Sequence, residues 1–177
     1  IYCAQGLDVQ LVHERKIATN QLHPNYPEGS VSSCENCDSY QSISNEDLLA
    51  MEVDILVPAA LENAITKHNV EAVRAKWVVE VANGPISLDA DQALFERGIV
   101  VIPDVLANAG GVIVSYFEWV QNRAGYPWSL LDVQSRLKEK LEAAFEEMWQ
   151  FQHQKEGVSF RQAAYAKALL HLQEVFK

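Results

Sequence analysis

With 177 residues, 49% of them hydrophobic and 21% charged, the chain has a globular composition and enough length to bury a core. Its formal net charge of -10 repels phosphate backbones, which argues against nucleic acid as a partner. No run approaches the roughly 18 consecutive apolar residues of a membrane span. The opening IYCAQGLD has no Met and no basic or signal-like stretch, so we expect a cytoplasmic protein and an excised piece of a longer chain.

Leu7 to Thr19 has helical spacing, with Asp8 near its start. Residues 20–43 are rich in Pro, Gly, Ser and Asn and read as a long loop. That loop holds Cys34 and Cys37; Cys3 is the third cysteine, and an odd count argues against a disulfide framework. CENC at 34–37 lacks the strand and helix flanks of a redox pair. A zinc site would need two more ligands, and Cys3, His13 and His23 have no recognisable spacing for it. Two thiols in a surface loop is the simplest reading, and no metal is expected.

SNED at 44–47 looks like a cap, Ser44 pairing with Asp47 ahead of a short helix through Met51. VDILVPAA at 53–60 reads as a buried strand, followed by a short helix from LENAIT. KWVVEVA at 76–82 and IVVIP at 99–103 are the next strands, separated by the loop ANGP and a helix from Asp89 to Arg97. The apolar segment 105–122 is predicted as one helix, despite Gly110 and Gly111. Ser129, capped with Asp132, opens a long amphipathic helix to about Lys155, with Leu137, Leu141, Phe145 and Met148 on one face. Gly157 breaks that run, and a last helix spans Ser159 to Phe176.

Short apolar strands alternating with helices predict an α/β fold with a mostly parallel sheet covered on both faces. Ligands of such sheets lie beyond the carboxyl ends of the strands. The loops after the three strands therefore converge, making Pro58, Asn83, Gly84 and Asn108 neighbours of one crevice. Asn83 and Asn108 offer uncharged donors and acceptors to an amide-bearing ring or to ribose hydroxyls, or else they only cap helices and turns. Gly84, Gly110 and Gly111 let backbone approach a ligand. Ser115, two turns after Asn108, shares its face and reaches toward a substrate, unless its hydroxyl bonds back to its own helix. Asp104, at a strand end, is placed to hold loop N–H groups. No G-x-G-x-x-G occurs, and none of the three loops holds a lysine or histidine for acid–base work, so no catalytic residue is assigned.

The strings DILVPAALEN, ANGP and IPDVLANAGGVIVSYFEW, with AAYAKAL at 163–169, resemble the NAD(P)-binding domain of the glutamate/leucine/phenylalanine/valine dehydrogenase family. The resemblance covers nearly the whole chain. It implies a Rossmann-like, doubly wound sheet truncated on its N-terminal side, with residues 1–128 as the partial binding domain. Residues 129–177 would be C-terminal helices packed on it. It also implies NAD or NADP as cofactor and reversible oxidative deamination of an L-amino acid, by an enzyme that assembles as a homo-oligomer.

By the same resemblance, Asn83 lies near the nicotinamide riboside and Asn108 at the nicotinamide. Ala59 and Ala60 lie beside the adenosine half, with Gly84, Gly110 and Gly111 completing the cofactor wall. Val112 lines the substrate side-chain pocket, and Ser115 contacts the distal carboxylate in the glutamate-specific branch, which favours L-glutamate. The family's glycine-rich turn, its NAD-or-NADP selecting residue and its lysine-bearing substrate domain have no counterpart in these residues. The chain alone is therefore expected to be inactive and to bind cofactor weakly. Val81 stands where the family commonly has Gly, and CENCDSY matches no family motif. The alternatives are a non-catalytic truncated domain with a structural or assembly role, or an amino-acid dehydrogenase of the leucine, phenylalanine or valine type.

Overall fold

The structure is a computed structural model that describes residues 1–4, 6–20, 22 and 42–176. Most of the expected loop, with Cys34 and Cys37, lies outside these residues. The chain divides into two compact units, Ile1–Leu48 and Leu49–Lys177.

In the first unit, helix α1 spans Val9–Thr19. It starts later than the spacing predicts because Asp8 is its cap, accepting the Leu11 N–H at 3.0 Å. Asn20, in the left-handed conformation, ends it. Cys3 is buried and disulfide-bonded, a single bond rather than the framework that the odd cysteine count argues against. The Ser44 cap is present: its Oγ accepts the Asp47 N–H at 2.9 Å ahead of α2, Asn45–Leu49.

The second unit is built on three short parallel strands in the order β1 (Ile55–Leu56), β2 (Trp77–Val79) and β3 (Val100–Ile102). Alternation sorts their side chains between two layers. Leu56, Val78 and Val101 face a core with Ile65, Val73, Ala90 and Leu94. Helix α3, Leu88–Glu96, supplies the last two. Trp77, Val79, Val100 and Ile102 face the opposite way, toward Met148, Phe160 and Ala163. Those residues belong to α6 (Leu130–His153) and α7 (Phe160–Val175). Trp149 anchors this layer, lying parallel to Trp77 at 6.4 Å and stacking on Phe160 at 5.2 Å.

Two predicted elements take other forms. The helix expected from LENAIT does not form. Asn63 and Ile65 instead donate their N–H groups to the carbonyls of Gly84 and Pro85, both at 2.9 Å. Lateral bonding has replaced the helical ladder there. The helix expected over 105–122 divides into α4 (Asp104–Ala107) and α5 (Gly110–Ala124), with Asn108 capping the first. The long helix begins as expected, with a Ser129–Asp132 capping box, and Ser159 with Gln162 forms a second one at α7.

Candidate functional site

Three loops leave the carboxyl ends of the strands and are stitched together. Pro58, after β1, accepts the N–H groups of Val81 and Ala82 at 3.1 and 3.0 Å. Asn108, at the end of α4, donates its side-chain amide to Asn83 Oδ1 at 2.7 Å and to the Val81 carbonyl at 3.2 Å. The expected neighbours Pro58, Asn83, Gly84 and Asn108 are thus brought together. Asn83 and Gly84 are exposed, as are Ala59 and Ala60 beyond Pro58. Gly84 adopts φ 54°, a conformation that side-chain-bearing residues rarely take.

Gly110 and Gly111 begin α5 on the far side of Asn108. A Cβ at Gly110 would meet Leu137 Cδ1 at 3.9 Å, and one at Gly111 would meet nothing within 4 Å. Close helix packing therefore does not account for glycine at 111. Within this chain, Gly111→Ala is expected to stabilise by about 0.5–1 kcal/mol, the usual gain from removing a helical glycine. A lower melting temperature in that variant would show that the fold itself needs Gly111.

Val112, 70% exposed, lies next along α5. Ser115 is exposed and donates its hydroxyl to the Gly111 carbonyl at 3.0 Å. This is the back-bonded alternative, so Ser115 must break that bond to donate to a substrate. Val81 has no positive φ and is 45% exposed, so the turn does not require glycine at this position.

Beneath the loops lies a cluster of four charged side chains. Glu80, immediately after β2, is fully buried. Its Oε2 accepts the Asp104 N–H at 2.8 Å, joining the ends of β2 and β3. Asp104 Oδ2 accepts the Gly84 N–H at 2.8 Å and Oδ1 accepts the Val105 N–H at 2.8 Å, the loop-holding role expected of it. Arg161, from α7, reaches all three acids. Its Nη2 lies 2.8 Å from Glu80 Oε1 and 3.1 Å from Asp91 Oδ1, and its Nη1 lies 3.4 Å from Asp104 Oδ1. The Glu80 contact is close but poorly angled, so it is an ion pair rather than a well-directed hydrogen bond.

Burial pushes the Glu80 carboxyl above its ordinary range, against the opposing pull of Arg161 and the Asp104 N–H. Burial also opposes the charge on Arg161, but Glu80 and Asp91 outweigh it and hold the guanidinium protonated. A carboxyl whose folded pKa is raised binds its proton more tightly when folded. Its contribution to stability therefore falls as pH rises from its ordinary 4.5 through the higher folded value. Glu80→Gln should match the parent near the bottom of that window and gain on it above, in urea unfolding followed over pH. A stability difference that stays constant with pH would rule the shift out.

Among the described residues, no group of His, Cys, Asp and Glu could hold a metal, and no helix is long and apolar enough to cross a membrane. Sequence reasoning missed Glu80 and Arg161. The signals were an acid inside the apolar run WVVEVA and an arginine directly after the buried Phe160.

Comparison with known proteins agrees with this architecture. The family model described as Glutamate/Leucine/Phenylalanine/Valine dehydrogenase matches residues 1–177. An NADP-specific glutamate dehydrogenase of Synechocystis sp. is 48% identical over 176 residues, covering 98% of this chain and 40% of that protein. An NAD-specific glutamate dehydrogenase of Staphylococcus aureus is 52% identical over 125 residues, covering 71% of this chain and 30% of that protein. Among solved structures, the hetero-hexameric glutamate dehydrogenase of Thermus thermophilus, in its Leu-bound form, superposes with a TM-score of 0.81. Its identity is 30%, and the match covers 98% of this chain and 38% of that one. The chain thus spans well under half the length of these relatives.

Proposed function

Because the chain belongs to the glutamate/leucine/phenylalanine/valine dehydrogenase family, we propose that it is the NAD(P)-binding part of an enzyme that oxidatively deaminates L-glutamate to 2-oxoglutarate and ammonia. The observation that carries this is the joined Asn83–Asn108 pair at the strand ends, beside the open space at Gly111. Two carboxamides and a bare backbone suit a nicotinamide ring, which needs hydrogen-bond partners and room rather than charge. A nicotinamide held there would supply the hydride acceptor for oxidation at the amino acid's α-carbon. Asn108 would hold the ring's carboxamide, Asn83 and Gly84 the adjoining ribose, and Ala59 and Ala60 the adenosine half. Val112 and Ser115 extend the same helix toward the amino acid, Ser115 serving a distal carboxylate once its bond to Gly111 is given up.

Relatives specific for NADP and for NAD both share about half their aligned residues with this chain, so the proposal takes in either cofactor. Oligomeric assembly, with identical subunits, and a cytoplasmic location belong to the same proposal.

Nuclear magnetic resonance of the 177-residue chain tests the cofactor site directly. Titration with NADH or NADPH into the millimolar range should shift the side-chain amides of Asn83 and Asn108 and the backbone amides of Gly84 and Gly111. Weak binding is enough for this readout. Shifts confined to other regions, or none at millimolar cofactor, would overturn the reading.

A further inference from the structure

We propose that Arg161 is a positioning residue: through Asp104, its guanidinium sets the Asn83–Asn108 pair from α7. This rests on the nicotinamide reading above for its functional meaning, though not for its geometry. Asp104 is the node. Its backbone N–H is held by Glu80, its carbonyl accepts the Asn108 backbone N–H at 3.0 Å, and its carboxylate holds the Gly84 N–H. Asn83 and Asn108 therefore stand on two loops that the Asp104 carboxylate helps to hold in register, alongside their own direct bond. That carboxylate shares one guanidinium with Glu80 and Asp91.

Without the cation, three carboxylates converge in a space with little water. Glu80 also bridges the two strand ends, but Asp104 is the acid whose carboxylate holds the Gly84 N–H and whose carbonyl holds the Asn108 N–H, so repulsion that displaces it reaches both. Such a shift carries Gly84 and Asn108 with it. The guanidinium's planar fork suits the task, because it holds its donors in a fixed geometry on two nitrogens, one toward Glu80 and Asp91 and the other toward Asp104, where an ammonium is a compact point charge on a flexible stem. Arg161 need not touch the cofactor to do this; it acts on the groups that do.

The test uses the full chain and three variants, Arg161→Met, Arg161→Lys and Asp104→Ala. Arg161→Met and Asp104→Ala should shift the Asn83 and Asn108 side-chain amide signals in the same direction. Both should speed hydrogen exchange at Gly84 at least about tenfold beyond any rise at the core amides of β2 and β3. Arg161→Lys should fall between Arg161→Met and the parent, and it provides the reading if Arg161→Met fails to fold. If Arg161 only fastens α7, melting temperatures drop while the Asn signals and the Gly84 ratio stay put, and the proposal is overturned. Cofactor titration of the same variants separates the two ideas. Moved amides with an unchanged response to NADH uphold the positioning role and overturn the nicotinamide assignment. Unmoved amides overturn the positioning role whatever the cofactor does.

Discussion

Arg161→Ala is expected to cost about 3–5 kcal/mol, the typical loss when one partner of a buried ion pair is removed. The size follows from asymmetry. One guanidinium faces three carboxylates, and the Arg161 side chain is only 13% exposed against 0%, 14% and 19% for Glu80, Asp91 and Asp104. Neutralising one acid relieves a surplus of negative charge, as expected for Glu80→Gln at neutral pH. Deleting the cation leaves that surplus uncompensated and buried. Truncation also strips the packing of the arginine stem at the start of α7. Urea unfolding at neutral pH measures the loss. A cost below about 1 kcal/mol, the range of a solvated surface pair, would show that water already screens the cluster.

The layer order of the second unit was legible from the sequence because burial on both faces leaves a plain mark. WVV and VVI are short apolar runs, and a covered parallel strand reads that way; ILV reads the same, but Ile55 and Val57 are exposed, so β1 is covered on one face only and the expectation of a buried strand there is corrected. Their lengths were overestimated. Glu80 still donates its N–H to Ile102 as the last ladder bond, but Val81 and Ala82 both turn their N–H groups to the single carbonyl of Pro58, which ends the strand before the apolar run does. LENAIT was misread for a related reason. Its residues have fair helix propensity, and only the carbonyls of Gly84 and Pro85, about twenty residues away, draw its N–H groups aside. No local pattern contains that competition. The break at Asn108 was visible only as an oddity, an Asn and a Gly pair inside an apolar stretch.

The convergence of Asn83 and Asn108 followed from topology, since parallel strands send their C-terminal loops to one edge. Their direct bond did not follow, because it depends on side-chain rotamers. Ser115 shows the limit of spacing arguments: position on a helix fixes its face, not whether the hydroxyl turns outward or back to the Gly111 carbonyl. The Glu80–Arg161 pair joins residues about eighty positions apart, and nothing in either neighbourhood names the other. A charged residue in a buried run signals that a partner exists, and only the fold identifies it.

Two core truncations should separate by how their surroundings collapse. Leu94 on α3 is 0% exposed and enclosed by Ile65, Val73, Ala90 and Val101. Met148 on α6 is 2% exposed, yet it also lines a groove of about 330 Å³ bordered by Leu106, Ala164 and Lys167. Truncating either removes comparable apolar volume, so the transfer loss is similar. The cavity left behind differs. At Leu94 it is sealed by rigid neighbours, which places Leu94→Ala in the upper half of the roughly 2–5 kcal/mol range for such changes. At Met148 the new space opens into the groove, where the Lys167 stem and solvent can fill it, which places Met148→Ala in the lower half. Trp149 reports on the second event, because it stacks with Trp77 and Phe160 in that layer. Its fluorescence in folded Met148→Ala should shift to the red as water enters, and in Leu94→Ala it should not. Equal costs, or a larger loss at Met148, would mean that the groove closes over Met148 and that this layer packs as tightly as the other.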